Sequence, residues 1–348
     1  MEPALAALPR MLLPSDLFCW ELVEGEAEPR GESLRYTLIV LLGLLRAQQA
    51  GVPVPIEPER LRQAVDRVLG RPEVTPGDFG LLLWVEARAG TDSAERLIAS
   101  LDESLLAHDG LAAREGLELA WIVTGLALNA DVSDAGRTQL QLALDQLLAN
   151  QRPSGLFRHF GAPGVRRRFP NFATEIYSVL ALTEVARLGL DDRALPAARR
   201  GADRLLELQL SDGGWPWLYD AERGDVVERY EVYSVHQHGM APMTLLALTQ
   251  VSGDERYASA AKRGVPWMFG ANELGVDMAP LERGMTYRSI RRRRPLDRFW
   301  LYANTGLAGR LGRQRKGPGR ILEVNRTCRP YELGWLVEAW AEDAAGAA

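Results

Sequence analysis

The sequence predicts an all-α chain: a single α/α toroid of about six helical hairpins spanning residues 1–348. Three observations predict it. First, a segment occurs twice. Glu175-Ile176-Tyr177-Ser178-Val179 opens an apolar stretch running to Leu188, and Glu231-Val232-Tyr233-Ser234-Val235 opens another running to Val251. The turn upstream is repeated too, since Gln151-Arg152-Pro153-Ser154-Gly155-Leu156-Phe157 is a worn copy of Gln209-Leu210-Ser211-Asp212-Gly213-Gly214-Trp215. A long fixed period marks repeats that share a core. Second, apolar residues recur at three- and four-residue steps almost throughout. Third, two helix types alternate. One is apolar nearly all round and belongs inside, and the other is amphipathic and belongs outside.

The elements follow in order. Ser33 to Gln49 is the first strong helix, Glu59 to Leu69 the next, and Asp78 to Ala89 ends at Gly90. Asp92 caps a helix to His108. Glu115–Asn129, Asp134–Asn150, Asn171–Leu188, Leu195–Leu210, Ser234–Val251 and Glu255–Phe269 continue the series, and Arg329–Glu342 closes it. Inner-type helices start near 34, 76, 115, 172, 232 and 331, which gives the six hairpins of a closed ring. An open helical solenoid is the alternative, but its uniform period is absent. Residues 271–328 break the rhythm. Their aromatics predict an ordered loop excursion over one mouth of the ring.

Composition is ordinarily globular, 47% hydrophobic and 25% charged. A formal charge of -5 argues against nucleic acid as partner to the whole chain. No apolar run reaches the roughly 18 residues of a membrane span. Met1-Glu2-Pro3 lacks the basic start of a secretory signal, so a cytoplasmic protein is expected. Cys19 and Cys328 make no disulfide framework.

Gln209 to Trp215 resembles the Gln-x-x-x-Gly-x-Trp repeat of terpenoid cyclases and prenyltransferase β subunits, which implies an outer-to-inner helix joint of an α/α toroid. The chain departs from those families in chemistry. It has no Asp-x-Asp-Asp acid, and neither cysteine fits the prenyltransferase zinc site. Asp212-Gly213-Gly214-Trp215-Pro216 also resembles a stretch in glucuronyl C5-epimerases, toroids akin to polysaccharide lyases. That resemblance implies carbohydrate chemistry on acidic glycans.

The densest polar cluster, Tyr230 to Met240, opens an apolar inner helix. Tyr233 and His236 there make a workable acid–base pair, and Tyr230, Trp217 and His238 are candidate substrate contacts. The plain alternative is that Tyr233 and His236 pack in the core. Histidines two apart on a helix face different ways, so no metal and no cofactor is expected. Glu175 and Glu231 hold matched places in the repeat and are candidate catalytic carboxylates. Asn171 and Tyr177 would line the cavity, although Asn171 also suits a helix cap and Glu175 a first-turn charge. Arg329 and Tyr331 open the last inner helix. Arg329 suits a substrate carboxylate, or an ion pair closing the ring. Asn272, Glu273 and Trp300 lie in the excursion. Arg291 to Arg294, with Arg288 and Arg298, form a basic run suited to an anionic chain or to solvent.

Together these predict an enzyme acting on an acidic glycan or oligosaccharide, by lyase- or epimerase-like proton abstraction or by glycoside hydrolysis. An isoprenoid cyclase lacking the usual acid, or a non-catalytic toroid that binds a partner, are the alternatives.

Overall fold

The computed structural model describes residues 1–280, 283–293 and 322–346. The helices are α1 (Glu2–Ala7), α2 (Leu34–Gln49), α3 (Pro58–Asp66), α4 (Pro76–Ala89), α5 (Ala94–Ala107), α6 (Gly116–Leu128), α7 (Asp134–Asn150), α8 (Phe172–Arg187), α9 (Ala194–Leu208), α10 (Ala241–Ser252), α11 (Glu255–Met268) and α12 (Pro330–Gly346). The even-numbered helices α2, α4, α6, α8 and α10 pack side by side in that order, and α12 packs back on α2. They form the inner wall of a closed α/α toroid. Helices α3, α5, α7, α9 and α11 are outside, and α1 lies against α12.

Local chemistry sets these boundaries. Ser33 Oγ accepts from Tyr36 N at the start of α2, and Asn171 Oδ1 accepts from Thr174 N at the start of α8. Thr75 and Asp78 form a reciprocal capping box on α4, with Pro76 in its first turn. Helix α5 starts later than expected. Thr91 and Ser93 both turn their hydroxyls to Glu86, and neither Asp92 nor Ser93 caps the helix.

The seam that closes the ring is tight. A Cβ on Gly43 of α2 would meet the Gly334 carbonyl oxygen of α12 at 2.4 Å, so only glycine lets these backbones approach. Arg88 of α4 adds a bond to Glu338 of α12 at 2.8 Å.

The two Gln turns are built alike. Gln209 Nε2 donates to Gly213 O (2.9 Å) and to Ala260 O of α11 (3.0 Å). Gln151 Nε2 donates to Gly155 O (3.0 Å) and to Ala197 O of α9 (2.9 Å). Each glutamine thus closes its own turn and ties it to the following outer helix. Gly213 has φ +84° and Gly155 φ +94°, and a Cβ on either would strike a carbonyl oxygen, of Arg263 or of Arg200. Phe157 and Trp215 fill the joints, fully buried.

Short strands, absent from the sequence reading, edge one mouth. They are β1 (Leu22–Val23), β2 (Leu218–Asp220), β3 (Asp225–Glu228), β4 (Val232–Tyr233), β5 (Ser289–Arg292), β6 (Leu322–Asn325) and β7 (Thr327–Cys328). Segments of two to four residues are too short to show a period of two. β2 and β3 form an antiparallel hairpin, β1 pairs with β7, and β4-β5-β6 make an antiparallel sheet with Tyr233 opposite Ser289 and Ile290 opposite Val324. The described part of the excursion therefore leads into the chain that carries His236. Among the described residues no helix is long and apolar enough to cross a membrane.

Candidate active site at one mouth of the ring

The inner helices begin at this mouth, and their first turns carry most of its polar groups. Arg35 of α2 donates to Asp78 of α4 (2.8 Å), to Glu118 of α6 (2.8 Å) and to Thr75 (2.9 Å), so one fork ties three hairpins. Burial works against its charge, but Asp78 and Glu118 raise its pKa further. Its guanidinium lies 5.1 Å from the Trp121 ring. An aromatic sleeve continues inward, with Trp121 against Tyr177 (5.3 Å), Tyr177 against Trp335 (5.8 Å) and Trp335 against Trp84 (5.6 Å).

On the other side of the mouth Tyr36 packs between Trp20 (4.9 Å) and Tyr331 (4.6 Å). Arg288 donates to Glu332 at 3.1 Å and lies 4.9 Å from the Tyr233 ring. Burial pushes the Glu332 carboxyl up to about 7, against the pull of Arg288 and Arg329. Burial raises the Tyr331 and Tyr177 hydroxyls, against the nearby charges of Arg288 and Arg329 at Tyr331 and of Arg35 at Tyr177.

His236 sits where the chain turns into α10. The turn His236–Met240 is wound as a π-helix, a form frequent at functional sites. Pro242 has no N–H to return to the His238 carbonyl, and Trp340 Nε1 donates to that oxygen at 2.7 Å instead. His236 packs on Phe172 (4.5 Å) and Tyr233 (5.1 Å) and parallel to Trp217 (6.3 Å). Its Nδ1 is buried without a partner among the described residues. Burial, then the Arg288 charge, holds its pKa well below the ordinary value, so the ring is neutral at pH 7. Burial, and then Glu231, pushes the Tyr233 hydroxyl up to about 12, so it remains a proton donor.

Several expected site residues have other work. Glu175 is fully buried, and both of its carboxylate oxygens accept from Phe157 N at 3.1 Å. It braces the first Gln turn and does not face the mouth. Glu231 is not its counterpart. The β2–β3 hairpin lengthens the second unit, so Glu231 falls just before β4, ahead of the helix, and accepts from Ser289 Oγ at 3.0 Å. The side chain that reaches the second joint is that of Gln237, whose Oε1 would lie 3.3 Å from a Cβ on Gly264. Asn171 spends its side chain as the cap of α8. Asn272 is consumed by a turn, donating to Trp267 O and Val276 O and accepting from Leu274 N and Val276 N. Glu273 binds Arg229 (2.8 Å) and Trp267 Nε1 (3.2 Å). Tyr230 lies against the guanidinium groups of Arg229 and Arg292. His238 is buried against α12, and burial pushes its pKa down to about 3. Trp300, Arg294 and Arg298 lie outside the described residues. Trp217, Tyr177, Tyr331, Tyr233 and His236 remain at the mouth.

The sequence reading missed Arg35, Tyr36, Trp121, Glu118 and Glu332. The signal was present: a charged residue interrupts the first turn of an otherwise apolar inner helix at Arg35, Asp78, Glu118 and Glu332. A separate cavity of about 390 Å³ lies between α5, α6 and α7, but it is lined mainly by Leu105, Leu106, Leu111, Ile122, Leu126 and Leu142. The convergent polar groups are at the mouth.

No family model matches the chain, and no curated protein matches it. Solved structures do. A sugar epimerase from a ruminal bacterium superposes with a TM-score of 0.65 at 10% identity, over 98% of this chain and 96% of that one. An unsaturated glucuronyl hydrolase specific for heparin gives 0.65 at 12% identity, over 100% and 96%. The cellobiose 2-epimerase of Bacillus thermoamylovorans B4167 gives 0.63 at 10%, over 97% and 95%. At these identities the likeness shows the α/α-toroid fold alone.

Proposed function

We propose that the chain is a single-domain enzyme acting on a sugar or oligosaccharide at this mouth, by removing a proton from a carbon next to a carbonyl or carboxyl group. The observation that carries the reading is His236: a neutral imidazole with an unpartnered ring nitrogen, its ring packed on that of Tyr233 in a cage of aromatic rings. In this reaction a ring nitrogen of His236 takes the proton and the C–H electron pair moves toward the adjacent carbonyl. Either Tyr233 delivers a proton to that carbon on the opposite face, which is epimerisation, or the β-oxygen leaves and takes a proton from Tyr233, which is elimination. Trp217 supplies a flat surface for a sugar ring. The structural neighbours named for sugars support the substrate class. Hydrolysis by a Glu175–Glu231 pair is disfavoured, because Glu175 is sealed in the joint by the Phe157 N–H.

The aromatic sleeve favours a second reading, an isoprenoid cyclase that steadies a carbocation. The guanidinium groups of Arg35, Arg288 and Arg329 raise the cost of a cation there.

The test is turnover of a panel of oligosaccharides in deuterium oxide. Epimerisation places solvent deuterium on the substrate carbon, and elimination yields an unsaturated sugar. His236→Asn should lower kcat by roughly 100- to 10,000-fold with the melting temperature within a few degrees. Because the base must be neutral, the acid limb of kcat/KM should fall well below the usual histidine value, with flat activity above it. Hydrolysis without exchange, or binding without turnover, would overturn the reading.

A further inference from the structure

Arg329 is unlike the arginines around it. Arg35, Arg288 and Arg291 each have a carboxylate oxygen within hydrogen-bond reach, at 2.8, 3.1 and 2.9 Å, and Arg292 is bonded to Glu228. Of the described basic run, Arg288, Arg291 and Arg292 are thus already paired, and Arg293 stands exposed with Glu323 at 4.0 Å. Arg329 has Glu21 as its paired carboxylate, at 4.0 Å, which is outside hydrogen-bond distance. Its Nη1 donates to Tyr36 Oη at 2.7 Å, its plane lies 4.2 Å from the Trp20 ring centroid, and its Nε is buried without a partner. Nη2 has no acceptor among the described residues. The guanidinium is therefore anchored at Nη1 and over Trp20, with its side chain 16% exposed and no carboxylate within hydrogen-bond distance among the described residues. Its buried Nε, left unpaired, is costly unless something meets it.

The neighbourhood leaves the positive charge in place. Glu332 stands next in sequence, but it is fully buried and its carboxylate is bonded to Arg288. Trp20 is 43% exposed beside the guanidinium. A flat apolar surface next to a fixed planar cation suits a pyranose ring that carries an acid.

Resting on the sugar reading above, we infer that Arg329, set by Trp20 and Tyr36, is the subsite for a carboxylate on the substrate. The substrate is then a uronic acid or a uronate-terminated oligosaccharide, bound with its acid at the seam where the first and last segments meet. This subsite would hold the sugar for His236 without touching the proton in flight.

The test compares a glucuronate-terminated disaccharide, the same disaccharide with its carboxyl reduced to hydroxymethyl, and a sulfated neutral counterpart. The wild type should prefer the uronate over the reduced form by roughly 10- to 100-fold in kcat/KM, the worth of one or two charge-assisted hydrogen bonds. Arg329→Gln should bring that ratio to within about 3-fold, chiefly through KM, and Arg329→Lys should restore part of it. Trp20→Ala, which leaves the arginine in place, should weaken uronate binding by calorimetry if Arg329→Gln fails to fold. Equal turnover of the uronate and its reduced form overturns the acid subsite and leaves the sugar reading standing. So does a preference that survives Arg329→Gln, or one that favours the sulfated sugar. Failure of all three probes to bind overturns both.

Discussion

The two Gln turns start from one plan and end differently. In the first, Gln151 closes the turn, Glu175 takes the Phe157 N–H, and α8 continues as a regular helix, while His159 Nε2 and Arg167 Nε stay buried without hydrogen-bond partners among the described residues. In the second, Gln209 closes the turn in the same way, but the chain then detours through the β2–β3 hairpin and β4 before a π-helical turn. There Gln237 Oε1, Trp215 Nε1, His236 Nδ1 and both ring nitrogens of His238 are buried without partners among the described residues. Native structures leave few such atoms, and each asks for a reason. The second unit concentrates more of them around one turn than the first does. The unit that breaks the local rules is the one to which chemistry is assigned.

The largest test of this contrast is at the turns themselves. Gly213→Ala forces a positive φ on alanine and drives its Cβ to 2.1 Å from the Arg263 carbonyl oxygen. It should cost about 3–5 kcal/mol in urea unfolding. Gly155→Ala, whose Cβ would stand 2.6 Å from Arg200 O, should cost about 2–4 kcal/mol. If both substitutions cost under about 1 kcal/mol, the turns are not the rigid joints described.

Next comes His238. Its folded pKa, about 3, lies below that of the unfolded chain, so the unfolded state takes up the proton first. The stability it contributes is present above the unfolded value near pH 6.5 and is lost as pH falls toward 3. His238→Leu should therefore remove about 2 kcal/mol of acid sensitivity between pH 6.5 and pH 5. Carboxyls that titrate in the same window cancel in the comparison with wild type. Parallel stability curves for the two proteins would refute the assignment.

The smallest effect should come from Glu175→Gln, which gives the first joint the residue type of the second. The amide oxygen still accepts from Phe157 N. Stability should change by less than about 1 kcal/mol, and turnover should hold. A collapse of kcat with intact melting would return Glu175 to the chemistry.

The ring was legible in the sequence because apolar periodicity survives in every inner helix, and because Gln151 and Gln209 keep their spacing to a glycine. Much of the mouth was not. The Glu-x-Tyr-Ser-Val match set Glu231 opposite Glu175, whereas the hairpin between them moves the equivalent depth to Gln237. Sequence similarity followed letters and the structure followed turns. Arg35 and Tyr36 escaped notice because their partners lie far along the chain, at Asp78, Glu118, Arg329 and Tyr331. No local pattern announces such contacts. Asn171 and Asn272 were overread, since a polar residue at a helix start or turn more often serves its own backbone.

The seam between α2 and α12 has a consequence for how the molecule comes into being. Tyr36 and Arg329 are 293 residues apart in the chain, yet they share a hydrogen bond at the mouth. A growing chain can pair each helix with the next as it emerges, so most of the wall assembles locally. Its last gap stays open until residues near 330 are made. Until then the apolar edges of α2 and α10 stand uncovered, and the acid subsite has its tryptophan but lacks its arginine. Closing so long a loop is the slow step that topology imposes. Binding competence should therefore appear at once, with the final helix, and a chain halted before it should be prone to aggregate.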